Sequence, residues 1–161
     1  MSHDPSLLEE PTIRNLIALG VLNADGLLNG LRYAEVSLTN AQILDLTTPV
    51  TLVDAPGAGK VNELVGGCII NDYTGGYTES GDNLAVKYTD ASGAAASEDI
   101  EMTGFADATA DKVIKILPKK DVLMVPNAAL VLDNTGSDFG SGNAANVWRV
   151  KIAYRVHDTD L

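Results

Sequence analysis

From Val147 to Val156 the sequence alternates residue by residue. Trp148, Val150, Ile152, Tyr154 and Val156 fall on one side, and Val147, Arg149, Lys151, Ala153 and Arg155 on the other. A period of two belongs to a strand, because successive side chains leave a strand on opposite faces; a helix repeats every 3.6 residues. One face is apolar and the other carries three basic residues, so the run predicts a strand packed on a core by one face. Val150, Ile152 and Tyr154 are expected inside, with Arg149, Lys151 and Arg155 outside. Trp148 lies on the apolar side and reads as core, with a contact between protomers as the alternative.

Shorter runs with β character precede it: Arg32 to Leu38, Ile43 to Leu46, Val50 to Val53, Val61 to Ile70 and Leu84 to Tyr88. Glu98 to Met102, Val113 to Leu117, Val122 to Val125 and Leu130 to Leu132 follow. Gly66 and Gly67 inside the Val61 run predict a bulge or bend. Turn-forming clusters divide the runs: Asp54-Ala55-Pro56-Gly57, Thr74-Gly75-Gly76, Ser80-Gly81-Asp82-Asn83, Asp90-Ala91-Ser92-Gly93 and Asn134-Thr135-Gly136-Ser137. Roughly eight to ten short strands, with a turn every ten or so residues, predict an all-β fold. A β-sandwich of the jelly-roll type fits that strand count best. A parallel α/β fold needs helices between strands, and only Gly104 to Lys112 has the texture of a short helix.

Residues 1–31 differ from this body, which spans 32–161. Ile13, Leu16, Ile17 and Gly20 fall at helical spacing behind Pro11, a residue suited to a first helical turn. Gly20, Gly26 and Gly30 interrupt the stretch, so a short helix and an extended arm both remain open. Its apolar residues Ile13, Leu16, Ile17, Leu19, Val21 and Leu22 are poorly suited to water. The expectation is an arm that docks through them on a neighbouring protomer or a partner surface.

The chain has 161 residues, enough for one domain with a real core, and a formal charge of −11. Such a field repels a phosphate backbone, so nucleic acid is not an expected partner. The acids are unevenly spread: residues 46–111 hold eleven acids against Lys60 and Lys87, while 112–161 hold seven basic residues against five acids. No apolar run approaches membrane-spanning length, and Met1 to Pro5 lacks the basic and apolar regions of a secretory signal. Synthesis in a cytoplasm is expected, with no membrane partner.

Candidate chemistry is thin. Asp54-Ala55-Pro56-Gly57-Ala58-Gly59-Lys60-Val61 resembles a phosphate-binding loop, but Asp54 stands where the first glycine belongs and Val61 where Ser or Thr would hold magnesium. It reads as a glycine-rich hairpin. His3 and His157 are the only histidines and lie near the chain ends, so the body offers no Ser-His-Asp set. The acidic stretch Asn71 to Asn83 lacks the regular oxygen spacing of a calcium loop and reads as a solvated loop, a weak cation site being the alternative. Cys68, in an apolar run, reads as a small buried hydrophobe. No enzyme activity, cofactor or metal is expected.

A resemblance adds to this. Thr48 to Val61, the Tyr/Gly-rich loop Asp72-Tyr73-Thr74-Gly75-Gly76-Tyr77, the strand Leu84 to Asp90, Val125 to Leu132 and Val150 to Val156 together resemble small virion structural proteins of tailed bacteriophages. The similarity covers roughly residues 45–156. It implies a capsid decoration or cement protein with a jelly-roll-like body, a homotrimer bound to the major capsid protein and located in the virion. A tail or head–tail joining component is the next reading. A carbohydrate-binding β-sandwich for host attachment is the third, for which Tyr73 and Tyr77 are the candidate contact residues.

Overall fold

The computed structural model describes residues 30–79 and 83–159. The chain divides into two units, Met1–Leu31 and Arg32–Leu161. The expected docking residues Ile13, Leu16, Ile17, Leu19, Val21 and Leu22 all lie outside the described residues.

The second unit is built from antiparallel strands: β1 (Arg32–Thr39), β2 (Val50–Val53), β3 (Lys60–Asp72), β4 (Tyr77–Thr78), β5 (Leu84–Tyr88), β6 (Lys112–Ile116), β7 (Leu130–Asn134), β8 (Gly140–Ser141) and β9 (Val147–Asp158). They form a four-stranded sheet in the order β1-β9-β3-β6, a three-stranded sheet in the order β2-β7-β5, and the short pair β4-β8. Successive long strands alternate between the two larger sheets. The segment after β5 returns along it: Leu84 and Ile100 exchange backbone hydrogen bonds of 3.1 and 2.8 Å, and Ala96 N donates to Val86 O at 2.7 Å. That segment includes Glu98 to Met102, which sequence alone assigns to a strand. It touches β5 at isolated bridges and builds no continuous ladder.

One apolar cluster draws on both larger sheets. Leu38, Leu64, Ile69, Ile116, Trp148, Val150 and Ile152 come from the first, and Leu52, Leu84, Val86, Tyr88, Leu130 and Leu132 from the second. The alternation of β9 therefore does what its pattern requires, burying Trp148, Val150 and Ile152 while Lys151 and Arg155 stay outside. Tyr154 departs from expectation and is only half-buried. It stands near the end of the ladder, opposite Arg32 and Leu64, and lines an open hollow there.

The β3 register slips between Leu64 and Gly66, the bulge that the paired glycines announce. Gly66 has a φ of +147°, and a Cβ on Gly67 would drive into the Lys151 carbonyl oxygen. Gly67 is thus demanded by the close approach of β9, and Gly66 by its left-handed backbone at the bulge.

Four local expectations are corrected. Ile43 to Leu46 is not a strand: Asn40–Leu44 forms a short helix, α1. Thr39 caps it, its Oγ1 accepting from Gln42 N at 3.4 Å while Gln42 Oε1 accepts from Thr39 N at 2.9 Å. This reciprocal capping box outweighs the β propensity of Ile43, which is buried. Gly104 to Lys112 holds a turn and no helix. Phe105 N and Ala106 N both converge on Met102 O, and Gly104 turns with a φ of +79°. Val122 to Val125 pairs with no strand among the described residues; Val122 and Val125 pack on the core while Leu123 and Met124 are exposed. Finally, the Asp54–Lys60 segment is not a hairpin, because β2 and β3 belong to different sheets. It crosses from one sheet to the other.

Candidate interaction surface

The outer face of the four-stranded sheet follows from the pairing. Glu35 lies opposite Lys151, Lys151 opposite Cys68, and Cys68 opposite Lys115, so one row of side chains crosses all four strands. The next row runs Ser37, Arg149, Ile70, Val113. Alternation puts these rows opposite the core residues Val36, Ile69, Val150 and Ile152. Ion pairs thread the face: Lys151 to Glu35 at 3.2 Å, and Arg149 to Asp72 at 3.1 Å. All four side chains are substantially exposed, and such pairs contribute little to stability. They set the pattern of charge that a partner would meet.

Beside the Glu35–Lys151 pair lies an apolar hollow of about 460 Å³, lined by Tyr33, Gly66, Gly67, Cys68 and Ala153. Tyr33 is 76% exposed, an unusual setting for an aromatic ring on a folded surface. The apolar character continues past the free side of β6. Val113, Leu117, Leu123 and Met124 make up four of the six large apolar residues exposed in the described chain. Lys112, Lys115, Lys119 and Lys120 accompany them, against Asp121. Residues 112–124 therefore form a basic and apolar margin on an otherwise acidic molecule.

The other candidate residues resolve into structural roles. The phosphate-loop look-alike leads into a strand, and no helix N-terminus stands behind it to hold an anion. Asn127 latches it, its Oδ1 accepting from Gly57 N at 3.0 Å and its own N donating to Lys60 O at 2.8 Å. Beside it is a hollow of about 380 Å³ lined partly by Arg32, Lys60, Asn62 and Tyr154. The Asn62 amide donates to Asp54 O and Ala128 O, which ties the crossover to the core. Tyr88 donates to Asn62 O at 2.8 Å, and burial, helped by the charge of Glu63, pushes its phenol up to about 12.

His157 Nε2 sits 2.8 Å from Glu63 Oε2, with Arg155 Nη1 at 3.3 Å from the same oxygen. Burial presses the Glu63 carboxyl upward. The hydrogen bonds and charges of His157 and Arg155 outweigh it and leave the group below its usual value. His3 lies outside the described residues. Along the acidic stretch, Asp72 is taken by Arg149, and Tyr73 N donates to Asp111 Oδ1 at 2.9 Å. Asn146 pins the loop through Thr74 and Gly75. Among the described residues no group of three or more His, Cys, Asp or Glu is placed to hold a metal ion.

Tyr73 and Tyr77 do not form an exposed aromatic rim. Tyr77 is 3% exposed, its hydroxyl donates to Asn40 Oδ1 at 2.9 Å, and its ring stacks edge-on against Trp148 at 5.4 Å. Trp148 itself is fully buried, so its core reading holds within the protomer. Cys68 is half-buried on the outer face. No helix among the described residues is long and apolar enough to cross a membrane. The basic margin escaped sequence reading. The charge imbalance of residues 112–161 was the available signal, but only the free position of β6 gathers its lysines and apolar residues at one border.

No protein-family model, no curated protein and no solved structure matches this chain.

Proposed function

We propose that this chain is a structural virion protein, a decoration or cement protein on the head of a tailed bacteriophage. The observation that carries the reading is the strand order. β1-β9-β3-β6 against β2-β7-β5, with residues 95–100 bridged to the free side of β5, supports a jelly-roll reading. In a jelly roll, eight strands alternate between two sheets through two Greek keys, and viral capsid domains are among its common users. The resemblance of residues 45–156 to small phage virion proteins points the same way. Fold alone never assigns function, so the reading also leans on the surface. The outer face offers Tyr33, a shallow apolar hollow and a basic margin, and these suit a broad protein contact. The carbohydrate-binding alternative loses one of its two candidate contacts, because Tyr77 packs into the core.

In this reading the major capsid protein is the partner, and copies of this chain assemble as a homotrimer on the shell. Residues 1–31 supply the docking arm through Ile13, Leu16, Ile17, Leu19, Val21 and Leu22. Burying four or five such side chains contributes several kcal/mol at roughly 25 cal/mol per Å², before ordering costs are subtracted. The experiment is binding to undecorated phage shells by sedimentation, with the full chain and with residues 32–161. The full chain should co-sediment. The truncated chain should keep its β-type circular dichroism and stay in the supernatant. Equal binding by both would remove the arm from the account, and unfolding of the truncated chain would assign residues 1–31 to the protomer's own core. Failure of the full chain to bind would overturn the reading.

A further inference from the structure

The two borders of the four-stranded sheet are complementary, and we propose that they join copies of this protein head to tail, with β6 of one copy adding to β1 of the next. The inference rests on the reading of the chain as an assembly component and names the surface by which copies meet.

Among the described residues β1 pairs with β9 alone and β6 with β3 alone, so each is open along its other side. Apart from Thr39 N, which caps α1, residues of β1 and β6 show no backbone hydrogen bond beyond those ladders among the described residues. An open strand presents a row of unsatisfied N–H and C=O groups and is a template for a further strand. Direction is compatible as well. β1 is antiparallel to β9, β9 to β3 and β3 to β6, so β1 and β6 run in opposite senses. A second copy carried sideways in the plane of the sheet sets its β1 antiparallel to β6 and continues the alternation.

The side chains choose between the possible pairings. Two β6 strands side by side would crowd Lys112 and Lys115 of both copies along one seam, an unfavourable gathering of like charges. The row Glu35, Lys151, Cys68, Lys115 begins with an acid at one border and ends with a base at the other. Setting Lys115 opposite Glu35 of the next copy continues the row with opposite charges. The same antiparallel register sets Val113 opposite Ser37 on the outer face, and the pairing ends at Ile116, because Leu117 O already accepts from Glu98 N. Val113 is 67% exposed in the single chain, so the contact covers a large apolar group left in water. Lysines at an open strand normally discourage pairing, and here they discourage only the pairing of like borders. A contact between two different borders is heterologous and closes into a ring when the rotation permits.

Sedimentation velocity on the full chain, over a concentration series at low salt, tests this without any shell. Wild type should form a concentration-dependent oligomer. Lys115→Glu and Glu35→Lys should each weaken it by about tenfold or more, as for close charge pairs at other interfaces. The double variant, which restores opposite charges across the contact, should recover most of the loss. In a Cys68→Ser background, Ser37→Cys and Val113→Cys chains should form a mixed disulfide dimer when combined and oxidised. A wild-type chain that stays monomeric, single variants that associate normally, or a double variant that stays weak would each overturn the inference. None of these outcomes alters the shell-binding result, which is measured separately.

Discussion

Replacing Lys87 by Met is expected to lower the unfolding free energy by about 3–5 kcal/mol, the usual cost of leaving one charge of a buried pair alone. Lys87 Nζ lies 2.6 Å from Asp133 Oδ2 and also donates to Ala91 O at 2.7 Å. The Asp133 side chain is only 2% exposed and its Oδ1 has no hydrogen-bond partner, so the carboxylate depends on that one lysine. Without it the charge remains in a medium that solvates it poorly. Adding Asp133→Leu to Lys87→Met should return most of the loss, because removing both members leaves no stranded charge. Urea denaturation of the single and double variants gives the comparison. A single-variant loss below about 1 kcal/mol would show that water or a rearranged neighbour reaches the carboxylate.

Trp148→Ala should cost about as much, about 3–5 kcal/mol. The indole is fully buried and stands at the centre of an aromatic group. Phe105, Tyr77 and Phe139 approach it edge-on, with ring centroids 5.2, 5.4 and 5.8 Å away. The group joins β9 to β4 and to the loops on either side, so the cavity left behind cannot close by moving one side chain. Aromatic pairs of this geometry contribute roughly 0.5–1.5 kcal/mol beyond area burial, so Trp148→Phe should recover part of the loss. Thermal or urea unfolding followed by far-UV circular dichroism reads both variants. A Trp148→Ala protein as stable as wild type would mean that the ring is not a core residue.

The sequence pattern carried the body well where a strand is half-buried. In β9 the alternation is long and its two faces differ chemically, so the burial of Trp148, Val150 and Ile152 follows from period, while Tyr154, near the end of the β1 ladder, escapes it. In β3 the Gly66-Gly67 pair locates the bulge because only a residue without a side chain tolerates the approach of the Lys151 carbonyl. Elsewhere the signal is local and the outcome is not. Ile43 and Leu44 look like a strand, yet Thr39-Asn40-Ala41-Gln42 is a readable capping box whose weight depends on the turn being built. Glu98 to Met102 has strand composition but runs beside β5 with only isolated bridges, a matter of tertiary path that composition does not encode. Tyr77 sits in a glycine-rich, turn-like context, and only the approach of Phe139 and Trp148 from distant segments makes it core. The same holds for Lys87 and Asp133, far apart in sequence and joined by the pairing of β5 with β7. The crossover at Asp54–Lys60 shows the limit most clearly. Turn residues between two strands announce a reversal, but whether the second strand joins the first or the facing sheet is decided by the whole fold.

The basic margin of residues 112–124 follows the same logic. Each lysine and each exposed apolar residue is unremarkable alone, and strand order brings them to one border of one sheet. In the proposed head-to-tail contact, Lys115 of this border meets Glu35 from the other side of the sheet of a second copy.

Electron cryo-microscopy of tailed-phage particles assembled with this chain tests the proposed function most directly, by locating and counting the chain. The expected result is the β body on the outer head surface, repeated with the shell lattice in closed groups of copies. A single ring at the head–tail vertex would make the protein a joining component, and absence of the chain from the particle would contradict the structural reading altogether.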